Sequence, residues 1–271
     1  MTETEVIEYI ALASDFIAEL RSQLNDLGVV RRVAHRYPFD HLAFELLSKT
    51  FSLCDACLSL IRDGWCNEAY GLSRSIVECA LTLRYITAVP DLLIKRTMKF
   101  ASASKADRRL WLHFAQAEAQ SEPEKQHIAR YAAEWGLYPD TKAAYDHWSG
   151  ERSFAKAATE VEHPLDPSDA DIGYKRIRRA FDYYYTSHFV HCSQTAMDYS
   201  KVLDGDLFAF RDDSTERVPA ISERCITLLI SYSKQVTSYA IYGMGIVVPS
   251  TFTVLEKFIF SREVGRFIRK E

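Results

Sequence analysis

Apolar residues return every three or four positions along most of this chain, the spacing of helices that bury one face. From about Thr4 to Leu27 the series Val6, Ile10, Ala13, Ile17, Leu20 and Leu24 keeps that step, and Gly28 is a natural C-terminal stop. After a basic connector, Arg31 to Tyr37, Pro38 opens a second helix that runs through Asp63 and is stopped by Gly64. A third helix is predicted over Trp65 to Val89, ended by Pro90. A fourth reaches from Pro90-Asp91 to about Gln120, and a shorter one from Glu122 to Trp135 carries Pro123 in its first turn. The stretch 136–167 is less regular, with Trp148-Ser149-Gly150, a helix over Ser153 to Glu162, and the turn-rich Asp166-Pro167-Ser168-Asp169. A long helix is expected from about Asp169 to Leu203, stopping near Gly205. A polar loop (Asp212 to Glu216) and helices over Pro219 to Tyr242 and Thr251 to Arg269 complete the chain.

No repeat, low-complexity tract or linker divides this pattern. The expectation is an all-α, single-domain multi-helix bundle over 1–271, with 136–167 as a cap or lid segment. Only ten Gly and eight Pro punctuate 271 residues, too few for the many turns of a sandwich or barrel.

The formal net charge of −4 argues against bulk electrostatic attraction to nucleic acid, though it leaves room for a local positive groove. Six cysteines lie inside apolar helical patterns. Cys54 and Cys57 make a lone C-x-x-C without a second pair, so buried thiols in a reducing cytoplasm are the expectation, with no metal and no cofactor. The acidic N-terminus is not expected to be a signal peptide, and the apolar stretch Ile226 to Val248 is broken by Lys234, Gln235 and several hydroxyls, so no membrane span is expected.

Two helices carry candidate chemistry. On a wheel, the third is apolar almost all round: Leu72, Ile76, Ala80, Leu83 and Thr87 share one face, while Leu81, Tyr85 and Ile86 point elsewhere. Its only charges between Leu72 and Val89 are Arg74, Glu78 and Arg84. Arg74 and Glu78, one turn apart, must either pair with each other or line an aqueous cleft, because an unpaired buried ion costs several kcal/mol. In the long helix, Phe181, Tyr184, Tyr185, His188, Cys192 and Tyr199 fall on one face and read as core. Tyr183, Ser187, His191, Gln194 and Asp198 form a polar stripe suited to a cleft wall or to plain solvent. His191 is the only member of that stripe whose unperturbed pKa, about 6.5, lies near neutrality, so it is the candidate acid, base or ligand switch.

Other chemistries fit poorly. His191 and Asp198 are roughly 10 Å apart along a helix, too far for a Ser187-His191-Asp198 triad. His188 and His191 diverge on the wheel, no paired Glu-x-x-His occurs, and no glycine-rich phosphate loop is present.

The residues Gly64, Glu68-Ala69, Leu72, Arg74-Ser75 and Glu78, followed by Trp148-Ser149-Gly150, Phe154-Ala155, Tyr183, Ser187 and His191, give the chain its resemblance to a family of bacterial helical proteins of unknown function. That resemblance implies a cytoplasmic helical protein in which the Arg/Glu and Ser/His helices line one site. It also implies an association with antiviral-defence genes, and it supplies no substrate. A second resemblance, to HEPN-type helical ribonucleases, has only Arg36-Tyr37-Pro38-Phe39-Asp40-His41 behind it, with Pro38 inside the spacing.

The resulting expectation is a binding or sensor module for a small anionic or nucleotide-like ligand or a protein partner. Arg74, Glu78 and His191 are its central residues, and Trp148, Tyr183, Ser187 and Gln194 line it. The alternatives are a metal-independent ribonuclease or nucleotide-processing enzyme using His191 as general acid/base, which makes RNA a candidate partner, or a structural protein without an active site. The final helix, Phe252, Leu255, Phe258, Ile259 and Phe260 followed by basic residues, suits either the core or a homodimer contact.

Overall fold

The computed structural model describes residues 3–29, 38–101, 119–134, 154–165, 179–187, 201–204, 207–210 and 218–246, with positions 116 and 149. Its architecture is all-α. Four long helices form the core: α1 (Glu3–Asp26), α2 (Pro38–Arg62), α3 (Cys66–Thr87) and α8 (Val218–Gly243). A short 3-10 turn (Pro90–Leu92) leads from α3 into α4 (93–101). Three shorter helices complete the described set: α5 (Glu122–Glu134), α6 (Phe154–Glu160) and α7 (179–187).

α1 buries Tyr9, Ile10, Ala13, Phe16, Ile17, Leu20 and Leu24 along one stripe, the face its spacing predicts. α3 sits at the centre, packed most extensively on α8 and then on α2. Ile76, Val77, Ala80, Leu81, Leu83 and Ile86 are all enclosed, as expected of a helix apolar all round. Burying each of the Leu, Ile and Val side chains among them is worth about 1.5–3 kcal/mol.

The helix ends follow from backbone chemistry. Gly64 takes φ 88°, its N–H donates to Ile61 O, and the Trp65 N–H donates to Leu60 O. Gly245, at φ 62°, ends α8 the same way, with Gly245 N–H to Tyr242 O and Ile246 N–H to Ile241 O. Both are the left-handed caps that glycine adopts without steric cost. At α5, Ser121 and Glu124 cap each other: the Glu124 carboxylate accepts the Ser121 N–H at 2.9 Å and the Ser121 hydroxyl accepts the Glu124 N–H at 3.4 Å.

One element departs from expectation. Residues 201–203, predicted to finish the long helix, instead belong to a strand, Lys201–Asp204, that pairs antiparallel with Leu207–Phe210. The run Lys201-Val202-Leu203 has no helix-period partner after it, and Asp204-Gly205-Asp206 is a turn signal between two short apolar runs. The predicted helix over Thr251 to Arg269, and most of the one over Asp169 to Leu203, lie outside the described residues.

Candidate functional site

α7 is rotated away from the orientation its apolar pattern predicts, with a polar arc inward and part of its aromatic arc left outside. Arg179, Asp182 and Thr186, which share one side of the wheel, are the residues it buries. Asp182 is 5% exposed, and its carboxylate accepts a 2.9 Å hydrogen bond from the Tyr232 hydroxyl of α8. Thr186 turns its hydroxyl back to Asp182 O at 2.7 Å. Phe181 and Tyr184, expected in the core, are instead 47% and 52% exposed. The reading of Phe181 and Tyr184 as core is therefore corrected: the buried polar anchor supplied by Tyr232 decides which face of α7 turns inward. Tyr185 does pack inward, edge-on to Tyr70 of α3 with centroids 5.9 Å apart.

Two arginines border the outward face of α7. On one side Arg74 of α3 donates Nε to Glu78 at 3.0 Å and Nη2 to the Tyr183 hydroxyl at 3.2 Å, with its guanidinium 5.0 Å from the Tyr183 ring centroid. Arg74 is 16% exposed and Glu78 44%, so the ion pair stands at the margin of the core. On the other side Arg224 of α8 lies 4.4 Å from the Tyr185 centroid and 4.8 Å from that of Phe181. Phe181 and Tyr185 are themselves stacked at 5.2 Å. Burial pushes the nearby Tyr70 hydroxyl pKa up, and the Arg224 cation pulls the other way without reversing it.

The opposite end of α3 is closed. Arg84 is 1% exposed; it donates Nε to Ala158 O at 3.1 Å, Nη1 to the Tyr239 hydroxyl at 3.3 Å, and Nη2 to Val161 O. A cation thus meets the C-terminal carbonyls of α6, where the helix dipole favours positive charge. Beside it, the Thr87 hydroxyl donates to Leu83 O at 2.7 Å, so its oxygen accepts from His163 Nε2 at 2.9 Å. His163 Nδ1 accepts the Leu165 N–H at 3.0 Å. These bonds specify a neutral imidazole with its proton on Nε2. The ring also packs edge-on to Tyr239 and Tyr242, at 4.7 and 5.2 Å.

Arg74, Glu78 and Tyr183 are brought together, so the two predicted helices meet. Ser187, one turn beyond Tyr183, is half-buried and donates its hydroxyl to Tyr183 O at 2.8 Å. Trp148, His191 and Gln194 lie outside the described residues, as do His188, Cys192 and Arg36. Of the Arg36–His41 spacing, the described residues take in only Pro38 to His41, in the first turn of α2. Arg84 stood in the sequence pattern only as a charge on α3, and nothing there set Arg224 apart. The signal for Arg84 was its position, the last charge on an otherwise apolar helix.

Cys54, Cys57, Cys66, Cys79 and Cys225 are all buried free thiols. Burial pushes the Cys54 and Cys79 pKa values up, and contact with Cys57 together with burial does the same to Cys225. A nucleophilic thiolate needs the opposite shift. Among the described residues, no group of three or more His, Cys, Asp or Glu is placed to hold a metal ion, and no helix is long and apolar enough to cross a membrane.

The fold and the α3–α7 wall thus define an all-helical protein whose described candidate residues meet at Arg74, Glu78 and Tyr183. The chain belongs to a family of unknown function, DUF5677, whose model matches residues 40–206. The match takes in α2 to α7 and the first strand of the hairpin, wider at both ends than the motifs that first pointed to such a family. No curated protein and no solved structure matches the chain.

Proposed function

We propose that this protein is a binding module whose ligand is a small anion carrying a planar ring, nucleotide-like in chemistry, taken up where α3 meets α7. The observation that carries the reading is Arg74: its guanidinium is fixed between Glu78 of its own helix and Tyr183 of another, at the margin of the core. A guanidinium already oriented by two partners loses little conformational freedom when an anion arrives, and its planar fork suits phosphate or carboxylate. Tyr184, packed edge-on to Tyr183 at 5.5 Å and half exposed, offers an aromatic surface beside that cation. His191 and Gln194 continue the Tyr183–Ser187 stripe along the sequence and belong to the same reading, as does Trp148. Five buried reduced thiols suit a protein working in the cytoplasm.

Thermal-shift titration with AMP, ATP, UMP and inorganic phosphate tests the proposal on wild type, Arg74→Lys and His191→Ala. A nucleotide should raise the wild-type melting temperature, and Arg74→Lys should weaken binding by about tenfold, the cost of one lost charge-assisted contact of ~1.4 kcal/mol. No stabilisation by any nucleotide, or stabilisation indifferent to Arg74, would sink it. Incubation of the same proteins with RNA and mapping of the ends covers catalysis: cleavage that vanishes in folded His191→Ala would make the module an enzyme.

A further inference from the structure

A soluble helix ordinarily turns its rings inward and its charges outward; α7 buries Arg179 and Asp182 while only two of its four rings, Tyr183 and Tyr185, pack against the core. Arg179, Asp182 and Thr186 are buried, whereas Phe181 and Tyr184 stand half exposed. Holding charged groups inside is costly, and half-exposed rings side by side forgo burial that the bundle could have used. Such a local conflict with the folding pattern marks a surface retained for contact.

Chemistry narrows the partner. The outward arc of α7 runs from half-buried Tyr183 and Ser187 to exposed Tyr184 and Phe181, about the ~10–12 Å breadth of a helix with its side chains. Each border carries a cation held against rings: Arg74 beside Tyr183, and Arg224 beside Phe181 and Tyr185. Ring faces between guanidiniums suit alternating planar bases and phosphates, the pattern of single-strand binding surfaces. Ser187 adds a distinction. Its hydroxyl proton is committed to Tyr183 O, so toward a ligand its oxygen acts as an acceptor, the partner that a ribose 2′-hydroxyl donor requires.

We infer that this face of α7 binds single-stranded RNA, with bases stacked on Phe181 and Tyr184 and phosphates drawn to Arg74 and Arg224. The inference rests on the ligand-binding reading above and extends it from one nucleotide to a strand. The overall charge of −4 means that binding depends on this local arrangement, not on a general positive surface. Glu78 offsets part of the Arg74 charge, so one or two phosphates are neutralised, and log K should fall against log salt with a slope of about −0.7 to −1.4.

The test is fluorescence anisotropy of a labelled, unstructured 12-nucleotide RNA, with the same sequence as DNA and a mononucleotide as parallel arms. Phe181→Ala and Tyr184→Ala should each weaken RNA binding by about 5- to 100-fold, the range for one base on an aromatic ring. Phe181→Tyr and Tyr184→Phe keep the ring and should restore it, which separates stacking from any loss of fold. Arg224→Gln should flatten the salt slope by about 0.7. The inference is overturned by absence of RNA binding at low salt, by binding indifferent to both rings, or by equal affinity for DNA. It is also overturned if sedimentation finds self-association that Phe181→Ala abolishes, since the face then belongs to a second copy. Failure of the single-nucleotide reading shows separately, as absence of Arg74-dependent mononucleotide binding.

Discussion

Two arginines ten positions apart on α3 meet opposite surroundings. Arg84 reaches into a closed interior and binds the end of α6, with Tyr239, Thr87 and His163 completing the network. Arg74 reaches the margin, where one carboxylate and one phenol orient it beside half-exposed rings. Both are partnered, yet only Arg74 has its partners on a surface that a ligand can share. The difference lies in what packs against each end. α6 is seven residues long, too short to persist alone, and depends on Arg84 to hold its carbonyls. α7 is anchored instead by its own buried Asp182 on Tyr232, which frees its outward arc for contact.

The contrast is sharpest in stability. Arg84→Ala should cost about 3–4 kcal/mol in urea unfolding, because buried acceptors left without a donor cost ~1–3 kcal/mol each. Arg74→Ala should cost about 1 kcal/mol or less, in line with marginal ion pairs. Similar losses at both would remove the distinction between a structural and a presenting arginine.

Gly243 tests how tightly the closed end is packed. A Cβ there would lie 2.3 Å from Phe39 Cζ and 2.7 Å from Thr87 Cγ2, and Thr87 is held by its bonds to Leu83 and His163. Gly243→Ala should lower stability by about 1–3 kcal/mol, the usual cost of overpacking, and Phe39→Leu in the same chain should recover part of it. A neutral Gly243→Ala would mean that this end yields as readily as the margin.

Titration gives a third handle. The thiols of Cys54, Cys79 and Cys225 have pKa values raised on folding, so their contribution is complete below the ordinary thiol value and is lost as pH rises through it toward the folded values. The free energy of unfolding should fall between about pH 8.5 and pH 10, at up to ~1.4 kcal/mol per pH unit for each thiol, and Cys225→Ala should flatten that decline. A flat alkaline profile would mean that these thiols are not enclosed.

The smallest effect belongs to the surface. N–H groups of Ser121 and Gln120, with the Ser121 hydroxyl, hold the exposed Glu124 carboxyl below its ordinary pKa. Its contribution is present above the unfolded carboxyl pKa and is lost as pH falls through the lower folded value. Protection of the first-turn amides of α5 relative to their intrinsic exchange rates should therefore fall in acid, and Glu124→Gln should remove that dependence while global unfolding stays unchanged.

Much of this architecture was legible in the residues. The periods of α1, α2 and α8, the glycine stop at Gly64 and the all-round apolar wheel of α3 each follow from local geometry and side-chain type. The Arg74–Glu78 pair was legible too, because a turn of helix sets its reach. The orientation of α7 was not. Its wheel offers two polar arcs, Arg179-Asp182-Thr186 and Tyr183-Ser187, and an aromatic arc between them, so periodicity alone favoured burying the rings.

By itself the sequence determined the helices, where several of them stop, and which residues could meet along one turn, since those depend on interactions within a few residues. Tertiary structure decided which arc of α7 faces the core, which arginine is sealed and which is presented. Those outcomes rest on contacts between residues 50 to 155 positions apart, Asp182 with Tyr232, Arg74 with Tyr183 and Arg84 with Tyr239. Their energies outweigh the local preference of any single helix, and no local pattern encodes them.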